Sequence, residues 1–443
     1  MNPFRKLLGD TAIYGVSSIV GRFLNWWLVP YYSVLFVPDE YGVVTNLLAY
    51  EAFLLIILTY GMETGYFRFA SRSKNPESVY STSQVPLFFT SIVFLAVVFI
   101  FGNQISALIG YPDHPEYILI LAAVVAIDAF TSIPFARLRL DNRPVKFATI
   151  KMINIGLNIG FNLFFLSACP LIIKHFPDSP VNLIYSPGIG VGYVFISYLL
   201  ASLSTLILLY REIMSMSFKI DHALLKEMLS YSFPILIIGL AGMVNQNIDK
   251  ILLPFLLPEE QNPMYQVGIY GANYKLAVLM NMFIQAFRYA FEPFFFSRSS
   301  SASTDDPKLY ASVMKYFVIF GMIIFLGMTL YIDIVKMLID QGYHEGLKVV
   351  PVILIANLFF GIFFNLSIWY KIKDLTRYGA YIALIGAAIT LLLNFLLIPV
   401  MGYMGSAVAV LLCFMVMMVI TYTWGQKHYY VPYDLKRLVI YFS

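Results

Sequence analysis

Long apolar runs separated by short polar segments fill almost the whole chain. "FLLIILTYG" (53–61) and "LFFTSIVFLAVVFIFG" (87–102) are continuous, unlike the alternating ~10-residue segments of an outer-membrane barrel. Several runs exceed the ~18–20 residues that cross a hydrocarbon core. With no water to satisfy the backbone, such runs are expected to be helices. The pattern predicts twelve spans, at about 11–37, 42–66, 84–109, 116–138, 147–169, 188–210, 231–257, 267–296, 311–338, 348–370, 378–400 and 403–425. The fold expected is all-α and polytopic. Arg5 and Lys6 precede the first run, but that run is too long for the ~7–15-residue core of a signal peptide and reads as an uncleaved span. The end, "PYDLKRLVIYFS" (432–443), reads as an amphipathic terminus or the start of a further, missing helix.

Composition agrees with this pattern. The 443 residues are 60% hydrophobic and only 12% charged, against roughly 25% charged in soluble domains. Charge also orients the spans. With the N-terminus placed in the cytoplasm, twenty Lys and Arg residues fall in inner segments, and only Lys174, Lys336 and Lys348 in outer loops. Cytoplasmic loops carry such an excess, so the N-terminus and residue 430 are expected inside. Topology thus accounts for the basic balance, and no nucleic-acid partner is needed.

The chain also repeats itself. Residues 111–166 resemble 343–398 at an offset near 232: Tyr111 matches Tyr343, Asp141 matches Asp374 to within one position, and "NLFFL" from Asn162 matches "NFLLI" from Asn394. Earlier, "VPDEYG" (37–42) answers "LPEE" (257–260) with Tyr270 and Gly271, and Glu63 falls opposite Glu292. Two pseudo-symmetric six-helix lobes are expected, 1–221 and 222–430, with 431–443 beyond them. Six is even, so the halves share one sense, and substrate sites in such carriers lie between the halves near the midplane.

Six basic residues fall within spans or at their edges: Arg22, Lys151, Lys250, Lys275, Arg288 and Lys315. A charge at the bilayer centre costs at least ~2.5 kcal/mol by insertion scales. Each such group either locks helices together as an ion pair or serves a ligand in a cavity. Arg22 has Ser18 and Asn25 at helical spacing, with Glu51 of the next span as its natural partner. Asp249 and Lys250 stand in "NQNIDKILLPF" (245–255), before Pro254, which removes a backbone bond. Neighbours on a helix point ~100° apart, so these two are not expected to neutralise each other on one face. Asn281, Gln285, Arg288 and Glu292 form one stripe, on which Arg288 and Glu292 can pair. Lys275 lies on another side of that helix and ranks below Arg288. Asp128 stands alone in the fourth span, with a cation role and a packing role both open. Lys151 reads as snorkelling to the cytoplasmic edge. Asn154, Asn158 and Asn162 read as helix-packing residues.

Enzyme signatures are missing from the sequence. The five histidines (114, 175, 222, 344 and 428) are at span ends or in loops without metal-ligand spacing, and there is no phosphate-cradling GxxxxGK[ST] element. Cys169 and Cys413 imply no disulfide framework. A carrier driven by an ion gradient or by the membrane potential fits better, with no metal and no cofactor.

Gly21-Arg22, Pro30, Pro38, the following acids and Tyr41-Gly42 in "GRFLNWWLVPYYSVLFVPDEYG", together with "FARLRLDNRPVKFATIKMINIGLNIGFNLFFL" (135–166), carry a resemblance. The chain resembles the polysaccharide-exporter branch of the multidrug/oligosaccharidyl-lipid/polysaccharide superfamily, which includes the O-antigen-type flippases. The resemblance implies a V-shaped, alternating-access carrier of the bacterial inner membrane. Its substrate would be a polyprenyl-pyrophosphate-linked oligosaccharide for surface polysaccharide or lipopolysaccharide assembly. It also implies a cationic cavity for the anionic headgroup, which in this chain points to Arg22, Lys250, Arg288 and Lys275. Asp249, Glu51 and Asp128 would couple transport to a cation or balance charge. Partners implied are the lipid-linked oligosaccharide, membrane lipids, and a polysaccharide polymerase or other envelope-assembly protein. A multidrug antiporter of the same superfamily, a peptidoglycan-precursor flippase and a non-transporting scaffold remain as alternatives.

Overall fold

The computed structural model describes residues 19–21, 23–299 and 307–440, the side chains of 289, 290, 292–299 and 438–440 excepted. Its principal helices are α1 (Leu28–Leu35), α2 (Pro38–Thr59), α3 (Pro76–Leu108), α4 (Pro115–Leu140), α5 (Pro144–Leu163), α6 (Gly192–Leu208), α7 (His222–Leu256), α8 (Pro263–Leu276), α9 (Val278–Ser299), α10 (Pro307–Leu330), α11 (Val349–Leu366), α12 (Arg377–Met401) and α13 (Tyr403–His428). No strand occurs among the described residues. Nine helical stretches among them are long and apolar enough to cross a membrane. The chain is a multi-pass, all-helical membrane protein.

Several of the expected spans differ in detail, and residues 11–18 and 22 of the first lie outside the described residues. The segment expected at 188–210 is the shorter α6. The one expected at 267–296 is two helices, α8 and α9, separated at Ala277. That at 311–338 is α10 ending at Leu330, followed by short turns.

The fold comprises two compact units: Met1–Leu28 with Leu47–Leu240, and Val29–Asn46 with Ala241–Ser443. The sequence places the division between 221 and 222, at the head of α7; the contacts divide that helix at Leu240 and assign residues 29–46 to the second unit. In the first unit α3 packs on α4, α5 on α6, and α4 on α6. In the second, α11 and α12 both pack on α13, and α10 packs on α11.

Local chemistry sets the helix starts. Prolines 76, 115 and 144 occupy the first turns of α3, α4 and α5, where a missing N–H costs nothing. Asn75 also accepts a hydrogen bond from the Ser78 amide at 3.3 Å, an N-cap that satisfies an orphan donor.

The duplication shows in the backbone. The Arg143 amide donates to the Leu138 carbonyl at 2.9 Å, and the Leu375 amide to the Tyr370 carbonyl at 2.7 Å. The Asp141 amide donates to Arg137 at 2.8 Å, and that of Lys373 to Trp369 at 3.1 Å. Between them sit Asn142 (φ 53) and Asp374 (φ 54), left-handed positions that these residue types tolerate. The offset is 232 throughout, so the structural counterpart of Asp374 is Asn142, one position on from Asp141. Asn162 donates to the Asn158 carbonyl at 2.8 Å, and Asn394 to the Thr390 carbonyl at 2.7 Å, at the same offset.

Within the second unit the start of α2 crosses α8 at backbone contact. A Cβ on Gly42 would collide with the Met264 carbonyl, and one on Gly268 with the Pro38 carbonyl. Small residues allow this approach between membrane helices. Gly268→Val is expected to lower stability by about 1–3 kcal/mol or more, the range for overpacking. Gly327→Val, where a Cβ meets nothing within 4 Å, should cost much less; thermal unfolding of both variants in one detergent checks the difference.

Candidate functional site

In the second unit α7 carries the polar stretch into an apolar bundle. Asp249 is 1% exposed and Lys250 6%. The Lys250 ammonium lies 3.2 Å from Asp249 Oδ1 and donates to the Gln246 carbonyl at 3.0 Å. This corrects the expectation that the neighbours cannot neutralise each other. Their Cα–Cβ bonds diverge, but the four-carbon lysine stem curls back along the helix and brings its head to the carboxylate. The Tyr270 hydroxyl of α8 donates to Asp249 Oδ2 at 2.5 Å. The Tyr274 ring lies 4.3 Å from the Lys250 nitrogen, within cation–π range.

Pro254 explains a further partner. It has no N–H to give to residue 250, four positions back. The Asn46 amide of α2 instead donates to the Lys250 carbonyl at 2.7 Å. Asn245, one turn earlier, donates to the Ala383 carbonyl at 3.2 Å and accepts from Thr390 at 3.2 Å. The polar face of α7 is thus bonded to α2, α8 and α12.

Lys275, at the end of α8, is exposed and lies within electrostatic reach of Lys250. The Arg288 guanidinium stands 4.2 Å over the Phe364 ring. Its expected partner, Glu292, has a side chain outside the described residues, and Arg22 also lies outside them.

In the first unit Asp128 is not alone. Ser202, Glu51 and Lys151 all lie within electrostatic reach of its carboxylate. Lys151 also sits 4.2 Å from the Phe135 ring, so its charge is turned toward the bundle as well as the edge. Tyr198 lies within electrostatic reach of Glu51 and beside Asn158. At the loop end of this unit some of the charges counted for topology are paired. Lys146 donates to Glu212 at 2.6 and 2.8 Å, Arg137 to Glu77 at 2.5 Å, and Arg139 to Glu63. Among the described residues no cluster of His, Cys, Asp or Glu could hold a metal ion.

Tyr270, Tyr274, Asn46 and Tyr198 were not legible as site residues. The one signal available was Pro254, which announces an unsatisfied carbonyl at Lys250 and so demands a donor.

With this geometry in view, the comparisons place the chain. The model of the polysaccharide biosynthesis protein family matches residues 7–299. The chain belongs to that family. Its fold is that of the MOP-superfamily transporters. It is similar to a solved structure of the lipid II flippase MurJ in an inward closed conformation, with a TM-score of 0.75 at 13% identity, over 97% of this chain and 89% of that one. It is similar to an inward-facing multidrug resistance MATE family transporter of the MOP superfamily, with a TM-score of 0.69 at 12% identity, over 97% and 95%. A third similar structure is the MATE multidrug transporter DinF-BH, with a TM-score of 0.67 at 14% identity, over 97% of each chain. No curated protein matches the chain. These solved structures are of transporters or flippases.

The buried pair in this polysaccharide biosynthesis protein can be tested directly. Asp249→Asn leaves an ammonium in an apolar bundle without its counter-charge and should cost about 3–5 kcal/mol. Tyr270→Phe should cost about 1–3 kcal/mol, the penalty for an acceptor stripped of its donor. Removing both charges, as Asp249→Asn with Lys250→Met, should recover part of the first loss. Denaturation of the three variants in detergent checks the order.

Proposed function

We propose that the protein is a flippase that moves a polyprenyl-pyrophosphate-linked oligosaccharide across the bacterial inner membrane by alternating access, for surface polysaccharide or lipopolysaccharide assembly. Membership of the polysaccharide biosynthesis family, together with a transporter fold, carries this reading. The distribution of charge supports it. Lys275 is accessible and lies within electrostatic reach of Lys250 of the Asp249–Lys250 pair. An anionic headgroup is drawn to such a place, where lysine acts as a point charge and arginine as a bidentate clamp. In this proposal Lys275 and Arg288 receive the headgroup. Lys250 joins them when it turns from Asp249, and Asp249 returns the site to neutrality after release. Glu51 and Asp128 are proposed to bind the coupling cation in the first unit.

That carboxylate pair also favours a second reading, a cation-coupled antiporter for organic cations. Two acids within electrostatic reach of each other, with one lysine beside them among the described residues, suit a positively charged substrate.

Deletion of the gene in its host decides between them. The flippase reading expects undecaprenyl-linked glycan to accumulate, with rescue by the wild-type chain and at least about tenfold weaker rescue by Lys275→Ala or Arg288→Ala, the order of one lost charge-assisted contact. Normal lipid-linked intermediates combined with new sensitivity to cationic drugs would select the antiporter.

A further inference from the structure

An apolar groove of about 430 Å³ runs along the second unit, away from the buried pair. Met314 and Val318 of α10, Ile362 of α11, and Met415, Met418 and Val419 of α13 line it, and Tyr433 and Leu435 border one end. Its volume is roughly three times the ~150 Å³ of an apolar cavity that accepts benzene. Thioether side chains suit a flexible, poorly shaped apolar guest. A second recess, of about 140 Å³, is lined by residues next in sequence to those of the groove, and its chemistry is different. Lys315 and Ser312 of α10 face it together with Asp434 and Arg437 of the terminal segment. Arg437 bonds Asp434 at 3.0 Å, which leaves the Lys315 charge in excess. An apolar groove and a basic recess that share α10 and the terminal segment are matched by one kind of molecule.

We infer that this paired groove and recess hold an anionic glycerophospholipid of the surrounding membrane, with its phosphate against Lys315 and Arg437 and one acyl chain along Met314, Val318 and Met418. The lipid links the segment 431–437 to α10 and α13 by a bridge that is ionic at one end and apolar along its length. A zwitterionic lipid fits the slot equally well but brings a second positive charge toward Lys315. A polyprenyl phosphate offers the same anionic group on a single branched chain, and is the competing occupant. The site is independent of what the protein transports.

Native mass spectrometry of the purified full chain tests it, with phosphatidylglycerol, phosphatidylcholine and undecaprenyl phosphate as separate probes. The wild type should keep one phosphatidylglycerol under conditions that strip the other two. Lys315→Glu with Arg437→Glu should weaken binding by about thirtyfold or more, the order expected for two basic contacts near a membrane surface. Val419→Trp, which obstructs the groove at an exposed position and leaves both charges in place, should abolish retention. Lys427→Glu, outside the recess, should change nothing, and Lys315→Arg should bind as the wild type does. Equal retention of phosphatidylglycerol and phosphatidylcholine, preferential retention of undecaprenyl phosphate, or indifference to the paired charge reversal would each overturn the assignment.

Discussion

A lysine held inside an apolar bundle must have an anion within reach, and much of the second unit is arranged around that need. Lys250 meets it with the residue beside it, Asp249. The carboxylate needs a further donor and finds it in the Tyr270 hydroxyl. Tyr270 belongs to α8, whose neighbouring residue Gly268 lets that helix touch the start of α2. On α2, one turn after Gly42, Asn46 fills the carbonyl that Pro254 leaves open. The ion pair, the glycine crossing and the proline are therefore parts of one arrangement. Filling the crossing would move both donors off their acceptors, so a substitution at Gly268 acts on buried charge as well as on packing.

The first unit meets the same constraint in another way. Its intramembrane acids are close to each other, with one serine hydroxyl and one lysine nearby. At its loop end Arg137, Arg139 and Lys146 are clamped by glutamates on other segments, and the Tyr80 hydroxyl donates to the Glu212 carbonyl at 2.8 Å. Ion pairs near the membrane edge, partly wet, hold helix ends in register.

Much of the fold was legible because lipid imposes a simple rule: an apolar run of sufficient length is a helix. Residues 84–109 and 403–425 were fixed by that alone. The limits appeared where length and composition do not decide. The run at 267–296 is apolar enough to continue, yet the chain breaks at Ala277, and no glycine or proline stands there to signal it. Boundaries between units were less visible still, since the division within α7 depends on what each half touches. For the site, the charges themselves were readable as anomalies, but their partners were not. Helical-wheel angles describe Cβ directions, and a lysine head reaches well beyond its Cβ, so Asp249 and Lys250 met despite diverging. Asp128 looked solitary because Glu51, Lys151 and Ser202 come from three other helices. Tyr270 and Tyr274 were hidden among 32 tyrosines, most of which carry no signal of position.

The two left-handed turns at Asn142 and Asp374 show what an internal duplication preserves. Around them the side chains have drifted almost freely: leucine faces tyrosine, arginine faces leucine, an amide faces an acid. The main-chain links that close each helix have not moved by a single residue. Copies of an ancestral segment thus diverge fastest where the sequence is easiest to compare, and slowest in a feature that no residue-by-residue comparison records. Kinship between distant carriers is then better traced through where a helix is stopped than through which letters stop it.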